Sequence, residues 1–403
     1  MNAALIIIGN ELLSGFTLDS NSTWMGRKLL NIGIKTMIKL TVGDSENAIL
    51  DSLRSVDEKY DIVILSGGLG PTHDDVTKKA YCEFIGAELV FDESYFLKLS
   101  ESFKRRGIDI PESNRDQAYI PTKGEIIPNS RGSALGLKFV KDKTRFYVVP
   151  GVPSEMMTMM DEYILPELSE IAPHDLIITT IRTTGLMESA LFDTLKDIVK
   201  STKVDVSFLP GFMGVDIRLS SRNKKAVMEL SSNIYDLIGK FIYSEDWETL
   251  EEAVGRLLRE QGLTIAVAES CTGGLLSDRI TNIPGSSDYF LGGMVTYDNQ
   301  AKQDLLGVQT YTLEEFGAVS EQTAKEMAQG VRRVFQGNIG VSITGIAGPG
   351  GGTDEKPVGL VFIGLDFEGD TEVRSFTFTK ERRFNKELSA QAALNMLRLS
   401  IGG

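Results

Sequence analysis

Between residues 268 and 302 the chain gathers a hydroxyl, a thiol, a phenol and an amine. Ala-Glu-Ser-Cys-Thr-Gly-Gly spans 268–274, and Tyr-Asp-Asn-Gln-Ala-Lys follows at 297–302. The only two histidines, His73 and His174, lie far upstream. A nucleophile here must therefore be activated by a base other than imidazole. Ser270 follows an apolar run, Thr264–Ala268, and precedes a Gly-Gly helix start, where backbone amides can face a developing oxyanion. The same place also suits a helix cap, in which Ser270 or Thr272 would bond the amides of the next turn. Cys271 is the rival nucleophile. With no histidine to lower its pKa and with neighbours that look buried, it reads as a small core residue.

A second group of reactive positions sits in the first third of the chain. Asp61–Leu65 leads into Ser66-Gly67-Gly68-Leu69-Gly70-Pro71-Thr72-His73-Asp74-Asp75. Glycines at the carboxyl end of a strand let amides approach a ligand, which nominates Gly67, Gly68 and Gly70, and the next helix start favours anions. Two further turns follow strands, Gly9-Asn10-Glu11-Leu12-Leu13-Ser14-Gly15 and Pro150-Gly151-Val152-Pro153-Ser154-Glu155-Met156. In a doubly wound sheet the three turns can gather at one edge. Carboxylates Glu11, Asp74 and Asp75 beside a phosphate would suit a hard divalent ion such as Mg2+. Asp74 and Asp75 could equally be first-turn helix acids.

The elements that must position these groups follow from the hydrophobic pattern. Strands at Ala4–Ile8, Ile34–Val42, Asp61–Leu65 and Arg145–Val149 alternate with helices at Ser22–Asn31, Ala48–Glu58, Asp74–Ile85 and from Ser154 onward. This predicts α/β units around a doubly wound, mostly parallel sheet over 1–170. Residues 174–245 read as a small α+β unit in the order strand, helix, two strands and helix. Its Gly-Phe-Met-Gly at 211–214 imitates the GXXG loop of an RNA-binding KH module but joins two strand-like runs, so a hairpin turn is expected. Residues 247–403 form a third, α/β unit that closes with a helix from Asn385.

Composition bounds the rest. A chain of 403 residues accommodates two or three cored domains. Its formal charge of −14 argues against nucleic-acid binding, which needs cationic surface, while leaving room for small anionic substrates. Two distant cysteines make neither a disulfide framework nor a zinc cage, and the cytoplasm is the expected compartment. The apolar start Ala3–Ile8 lacks a basic leader and reads as a buried strand, and no stretch approaches the ~18 apolar residues of a membrane span.

Taken together, the motifs resemble the CinA (competence/damage-inducible) family. In the first domain the Gly-rich turns and Asp19-Ser20-Asn21-Ser22 resemble its amino-terminal part, a relative of the molybdopterin-binding fold. The middle unit resembles the family's KH-like domain. In the third, the two opening motifs are joined by Gly-Ala-Val-Ser-Glu (317–321), Thr-Gly-Ile-Ala-Gly-Pro-Gly-Gly (344–351) and Glu-Lys-Pro-Val-Gly (355–359). The resemblance implies a bifunctional enzyme of pyridine-nucleotide salvage. Its carboxyl-terminal amidohydrolase would release ammonia from nicotinamide mononucleotide, and its amino-terminal half would be a metal-dependent ADP-ribose pyrophosphatase. Carried over position by position, the nucleophile is Ser270, the general base Lys302, and the residue relaying or orienting the proton Tyr297. Substrate-binding positions are Thr272, Gly273, Thr344, Gly345, Gly348 and Arg382, with Arg383 beside it, and Gly67, Gly68, Gly70 and Asn21 in the other half. The resemblance also implies a homodimer. Molybdopterin-handling relatives carry Gly-Gly-Thr-Gly where this chain has Gly67-Gly68-Leu69-Gly70, which argues against a molybdopterin adenylyltransferase. The alternative is that the amino-terminal half is a non-catalytic nucleotide- or pterin-binding or dimerisation module.

Overall fold

A computed structural model describes residues 1–403 apart from 73, 74, 106, 174, 175, 246, 247 and 403. Two compact units, Met1–Ile177 and Ile178–Gly403, make up the chain. In the first unit the strands are β1 (Asn2–Ile8), β2 (Lys35–Val42), β3 (Ile62–Ser66), β4 (Leu89–Phe91), β5 (Tyr119–Pro121), β6 (Glu125–Ile127), β7 (Gly136–Lys141) and β8 (Thr144–Val149). The main sheet runs β2-β1-β3-β8-β7-β6. Its first four strands pair in parallel, and β7 and β6 add on antiparallel. The doubly wound, mostly parallel expectation therefore holds.

Alternation along β1 explains its unbroken apolar sequence. Ala3, Leu5 and Ile7 enter one core, while Ala4, Ile6 and Ile8 enter the core on the opposite face. Each such Leu or Ile, buried from both sides, contributes about 1.5–3 kcal/mol. The register sets Ile7 beside Ser66 and Ser66 beside Val149. The carboxyl ends of β1, β3 and β8 thus lie side by side, as the sequence predicts for the three Gly-rich turns. One expected element shifts. The helix after β3 begins at Thr77 rather than at residue 74, because Asp75 closes a turn with Thr72 instead of capping that helix.

The second unit opens with β9 (Ile177–Thr183), β10 (Asp205–Gly211), β11 (Gly214–Ser221) and β12 (Ile242–Glu245), ordered β10-β11-β9-β12, with helices Glu188–Ser201 and Lys224–Ile238. Gly211 pairs with Gly214 at the end of the antiparallel β10–β11 ribbon. The Gly-Phe-Met-Gly segment is therefore a hairpin tip. Strands β13 (Ile265–Glu269), β14 (Phe290–Val295), β15 (Ile339–Gly345), β16 (Leu360–Phe367) and β17 (Asp370–Thr377) form the second sheet of this unit, ordered β14-β13-β15-β16-β17. The pairs β13–β14 and β13–β15 are parallel and the remaining pairs antiparallel.

Helix Arg382–Ile401 starts three residues before the expected Asn385, which places Arg382 in its first turn. Helix Leu250–Gln261 is fixed by a reciprocal capping box between Thr249 and Glu252. Helix Glu321–Phe335 lies close against the sheet at Gly340, where an added Cβ would collide with the Ala328 carbonyl and meet the Arg332 Cβ at 2.8 Å. Gly340→Ala is accordingly expected to cost about 1–3 kcal/mol through overpacking, read as a lowered thermal midpoint.

Candidate active sites

The parallel strands β13 and β15 carry the carboxyl-terminal site. Ser270 leaves the end of β13, with its amide donating to the Ile343 carbonyl at 2.9 Å. It is followed by a turn through Gly273 and Gly274, both in left-handed conformation with φ +62° and +95°. A cavity of about 270 Å3 opens there. Ser270, Cys271, Tyr297, Lys302, Thr344 and Arg382 line it, together with the glycine-rich segment after β15. The structure thus brings together residues separated by more than a hundred positions.

Neither Ser270 nor Thr272 caps the following helix, Leu275–Thr281. Its free amides are taken by the carboxylate of Glu269, a residue with no exposed surface. That carboxylate accepts from the amides of Gly274 (3.0 Å), Leu276 (3.0 Å) and Ser277 (2.8 Å) and from the Ser277 hydroxyl (2.7 Å). Two consequences follow. The Ser270 hydroxyl is released from the structural task that the sequence also allowed. The helix start, expected to offer amides to an oxyanion, is already filled by a resident anion. The turn amides of Cys271 and Thr272 donate to no other main-chain group among the described residues, and they follow Ser270 directly in the chain. Glu269 escaped sequence reading because a buried carboxylate just before a Gly-Gly helix start looks like an ordinary strand end.

Lys302 is 1% exposed, and its Nζ donates to the Thr296 carbonyl at 2.9 Å and the Tyr297 carbonyl at 3.1 Å. Burial holds its pKa below the ordinary lysine value, against the opposing pull of Asp298. A neutral amine has two hydrogens. Two carbonyls consume both and leave the lone pair for a third group; Ser270 lines the same cavity, with no hydrogen bond between its hydroxyl and this amine. The neighbouring thiol is the poorer nucleophile, since burial pushes Cys271 up to about 12.

Tyr297 plays two parts. Its carbonyl helps to hold Lys302, while its phenol, on a side chain 61% exposed, accepts from Arg382 at 3.2 Å rather than reaching the lysine. Arg382 also donates to the Gly348 carbonyl at 2.9 Å, and Asn385 donates to the Ala347 carbonyl at 2.9 Å. Residues 347–348 are thereby pinned to the helix. Gly350, by contrast, has open space around it. The Thr344 hydroxyl is spent on the Ala318 carbonyl at 2.6 Å, so this residue shapes the cavity wall. Asn385 was missed from sequence, being one buried amide within a helical pattern.

At the amino-terminal edge the three turns converge. Asn21 donates to Ser66 Oγ at 3.0 Å and to the Gly151 carbonyl at 2.8 Å, and Ser66 donates to the Pro150 carbonyl at 3.0 Å. Gly67 is required there, because its φ is +117° and a Cβ would run into the Ile8 carbonyl. A cavity of about 110 Å3 at this edge is lined by Glu11, Asp19, Asn21, Ser66 and Gly151. The Asn21 Oδ1 is buried there without a partner. Gly68 packs on Thr77, and Gly70 packs on the Asp75 carboxylate. One Asp75 oxygen takes both the amide and the hydroxyl of Thr72, at 2.8 and 2.6 Å. Asp74 lies outside the described residues. Among the described residues, no three His, Cys, Asp or Glu side chains cluster to hold a metal ion.

Glu269→Ala would strip a buried helix start of its acceptor. It is expected to destabilise the carboxyl-terminal unit by about 2–3 kcal/mol and to speed hydrogen exchange at the amides of Gly274, Leu276 and Ser277. Unchanged exchange at those amides would show that the carboxylate does not hold them.

Residues 4–170 match the family model "Probable molybdopterin binding domain", residues 179–244 the "Damage-inducible protein CinA KH domain", and residues 247–401 the "CinA C-terminal domain". A CinA-like protein of Chloroherpeton thalassium is 42% identical over 415 residues and covers 99% of each chain. A protein of Caldicellulosiruptor bescii, named as competence-damage inducible, is 38% identical over 408 residues, or 100% of this chain and 99% of its own. Among solved structures, the competence/damage inducible protein CihA from Agrobacterium tumefaciens is 42% identical across 39% of this chain and 95% of its own, with a TM-score of 0.38. No helix among the described residues is long and apolar enough to cross a membrane. The chain therefore belongs to the CinA family of competence/damage-inducible proteins, with molybdopterin-binding-like, KH-like and CinA carboxyl-terminal domains in that order.

Proposed function

We propose that the chain is a bifunctional hydrolase of pyridine nucleotides, with an amidase centred on Ser270 and Lys302 and a pyrophosphatase at the amino-terminal sheet edge. The single observation that carries the amidase is the buried Lys302 amine, held by two carbonyls in a cavity it shares with the Ser270 hydroxyl. In this reading neutral Lys302 takes the Ser270 proton as Oγ attacks the carboxamide carbon of nicotinamide mononucleotide. The tetrahedral oxyanion is met by the turn amides of Cys271 and Thr272. The ammonium of Lys302 returns the proton to the leaving nitrogen, and ammonia departs. Water, deprotonated by the same amine, then hydrolyses the ester to nicotinic acid mononucleotide and frees Ser270. In this reading Arg382, in the cavity wall, holds the anionic part of the substrate.

Ser270→Ala and Lys302→Ala are each expected to lower ammonia release from nicotinamide mononucleotide by at least about 10³-fold with the fold retained, whereas Cys271→Ala keeps most of the activity. Full activity in Ser270→Ala with loss in Cys271→Ala would reverse the nucleophile assignment. The pH dependence has a defined sign. Lys302 works as the neutral amine and its pKa lies below 10.5, so activity rises with pH through that lowered value. Between the lowered value and 10.5 the unfolded chain holds a proton that the folded chain lacks. Lys302 therefore makes stability rise with pH across that window. A flat profile from pH 6 to 10 would remove lysine as the base.

For the amino-terminal edge the reading is metal-dependent cleavage of the ADP-ribose pyrophosphate. The described residues fit an ion shared with substrate rather than caged by protein. Glu11 stands in the cavity wall, and the orphaned Asn21 Oδ1 can accept from a bound hydroxyl or water. Glu11 would hold the ion there, and the ion would supply charge neutralisation at phosphate; Asp75, tied to Thr72, does not line this cavity. The closed Asp75–Thr72 turn favours a second reading, a nucleotide-binding or dimerising module without turnover. Release of AMP from ADP-ribose by the full chain, dependent on added Mg2+ or Mn2+ and lost in Glu11→Gln, is the expected result. No release with any divalent ion would support the binding module. A cytoplasmic homodimer that binds no nucleic acid belongs to the same reading.

A further inference from the structure

The KH-like domain contributes no residue to either cavity described above, yet its hairpin tip meets the carboxyl-terminal domain at one specific place. Phe212 lies with its ring centroid 4.5 Å from that of Phe384, the planes tilted by 37°. Phe384 belongs to the first turn of helix Arg382–Ile401. Residues two apart on a helix face opposite ways, so the hairpin packs on the back of the turn whose front presents Arg382 to the Ser270 cavity. That turn needs outside support, because its N-cap, Glu381, makes no side-chain cap hydrogen bond. On the cavity side Asn385 ties it to the Ala347 carbonyl and to Thr379. On the other side stands Phe212.

The next hairpin residue reaches the same helix. The Met213 carbonyl accepts from the Thr184 hydroxyl at 2.9 Å and from Gln391, on helix Arg382–Ile401, at 3.4 Å. Gln391, buried, accepts through Oε1 from Arg279 at 2.7 Å, and Arg279 lies on the helix that Glu269 caps behind Ser270. The hairpin thus bears directly on the helix carrying Arg382 and, only through Gln391 and Arg279, on the helix following the Ser270 turn.

We propose that the Phe212–Met213 hairpin tip of the KH-like domain is a positioning element of the Ser270 cavity, fixing the first turn of helix Arg382–Ile401 and thereby the Arg382 guanidinium. The proposal rests on the amidase reading for its kinetic consequence but not for its structural one. In the full chain, Phe212→Ala is expected to raise KM for nicotinamide mononucleotide about three- to tenfold, with kcat within about twofold, because a lost aromatic contact loosens a substrate-holding cation rather than the reacting groups. Phe212→Tyr, which keeps the ring, restores KM. In an Arg382→Ala background, Phe212→Ala adds no further loss, since both changes act through one guanidinium. Hydrogen exchange at the amides of 385–389 speeds up in Phe212→Ala whatever the chemistry. An unchanged KM in an active enzyme, or additive losses with Arg382→Ala, would overturn the positioning role and leave the amidase intact. Absence of ammonia release from the unaltered chain would overturn the amidase reading instead. Unchanged exchange at 385–389 would then overturn the brace as well.

Discussion

A buried carboxylate holds the carboxyl-terminal site in shape. Glu269 is the last residue of β13, and its oxygens take three amides and a hydroxyl from the helix that follows. A carboxylate removed from water is costly unless its lone pairs are filled. The folded turn fills them, and only this turn does so. Ser270 stands between that anchor and the Ile343 carbonyl that fixes its own amide. The result is a serine hydroxyl on a firmly held turn, with the helix start behind it filled by the Glu269 side chain.

Lys302 presents the complementary case. Its amine is buried as deeply as Glu269 but has no carboxylate hydrogen-bonded to it, only two carbonyls. Coulomb stabilisation of an ammonium is weak in that setting, and the desolvation penalty decides the direction of the shift. The two groups were sorted by their partners. The Glu269 side chain received four donors, while the amine received as many acceptors as a neutral amine has hydrogens. Proton abstraction without histidine becomes reasonable on that account.

The same unit shows how a domain with no lining residue can still bear on a site. The β10–β11 ribbon ends in a tight turn, and its tip rests on helix Arg382–Ile401, which begins at the cavity. In the amino-terminal unit the positioning device is different. Strand register places three turns side by side, and the Asn21 amide stitches two of them together. Among the described residues that edge offers the Glu11 and Asp19 carboxylates and the unpartnered Asn21 amide oxygen.

Much of this was legible in the sequence. Strands buried on both faces read as unbroken apolar runs, so the parallel sheet over the first unit followed from Ala3–Ile8 and Ile62–Leu65 and their like. Gly-Phe-Met-Gly between two strand-like runs gave a hairpin because only a turn fits that spacing. Local pattern could also nominate Ser270 and Lys302. It could not choose between cap and nucleophile for Ser270, since that depends on which acceptor reaches the helix amides, and Glu269 does so only once the turn has folded. Strand β17 was missed because an edge strand alternates polar residues and buries little. The helix start at Arg382, the division of Tyr297 between carbonyl and phenol, and the closure of Asp75 on Thr72 were likewise decided in three dimensions. Sequence determines which groups a chain owns and on which element each sits. Hydrogen-bond partners and burial, which set whether those groups are structural or reactive, exist only between segments far apart in the chain.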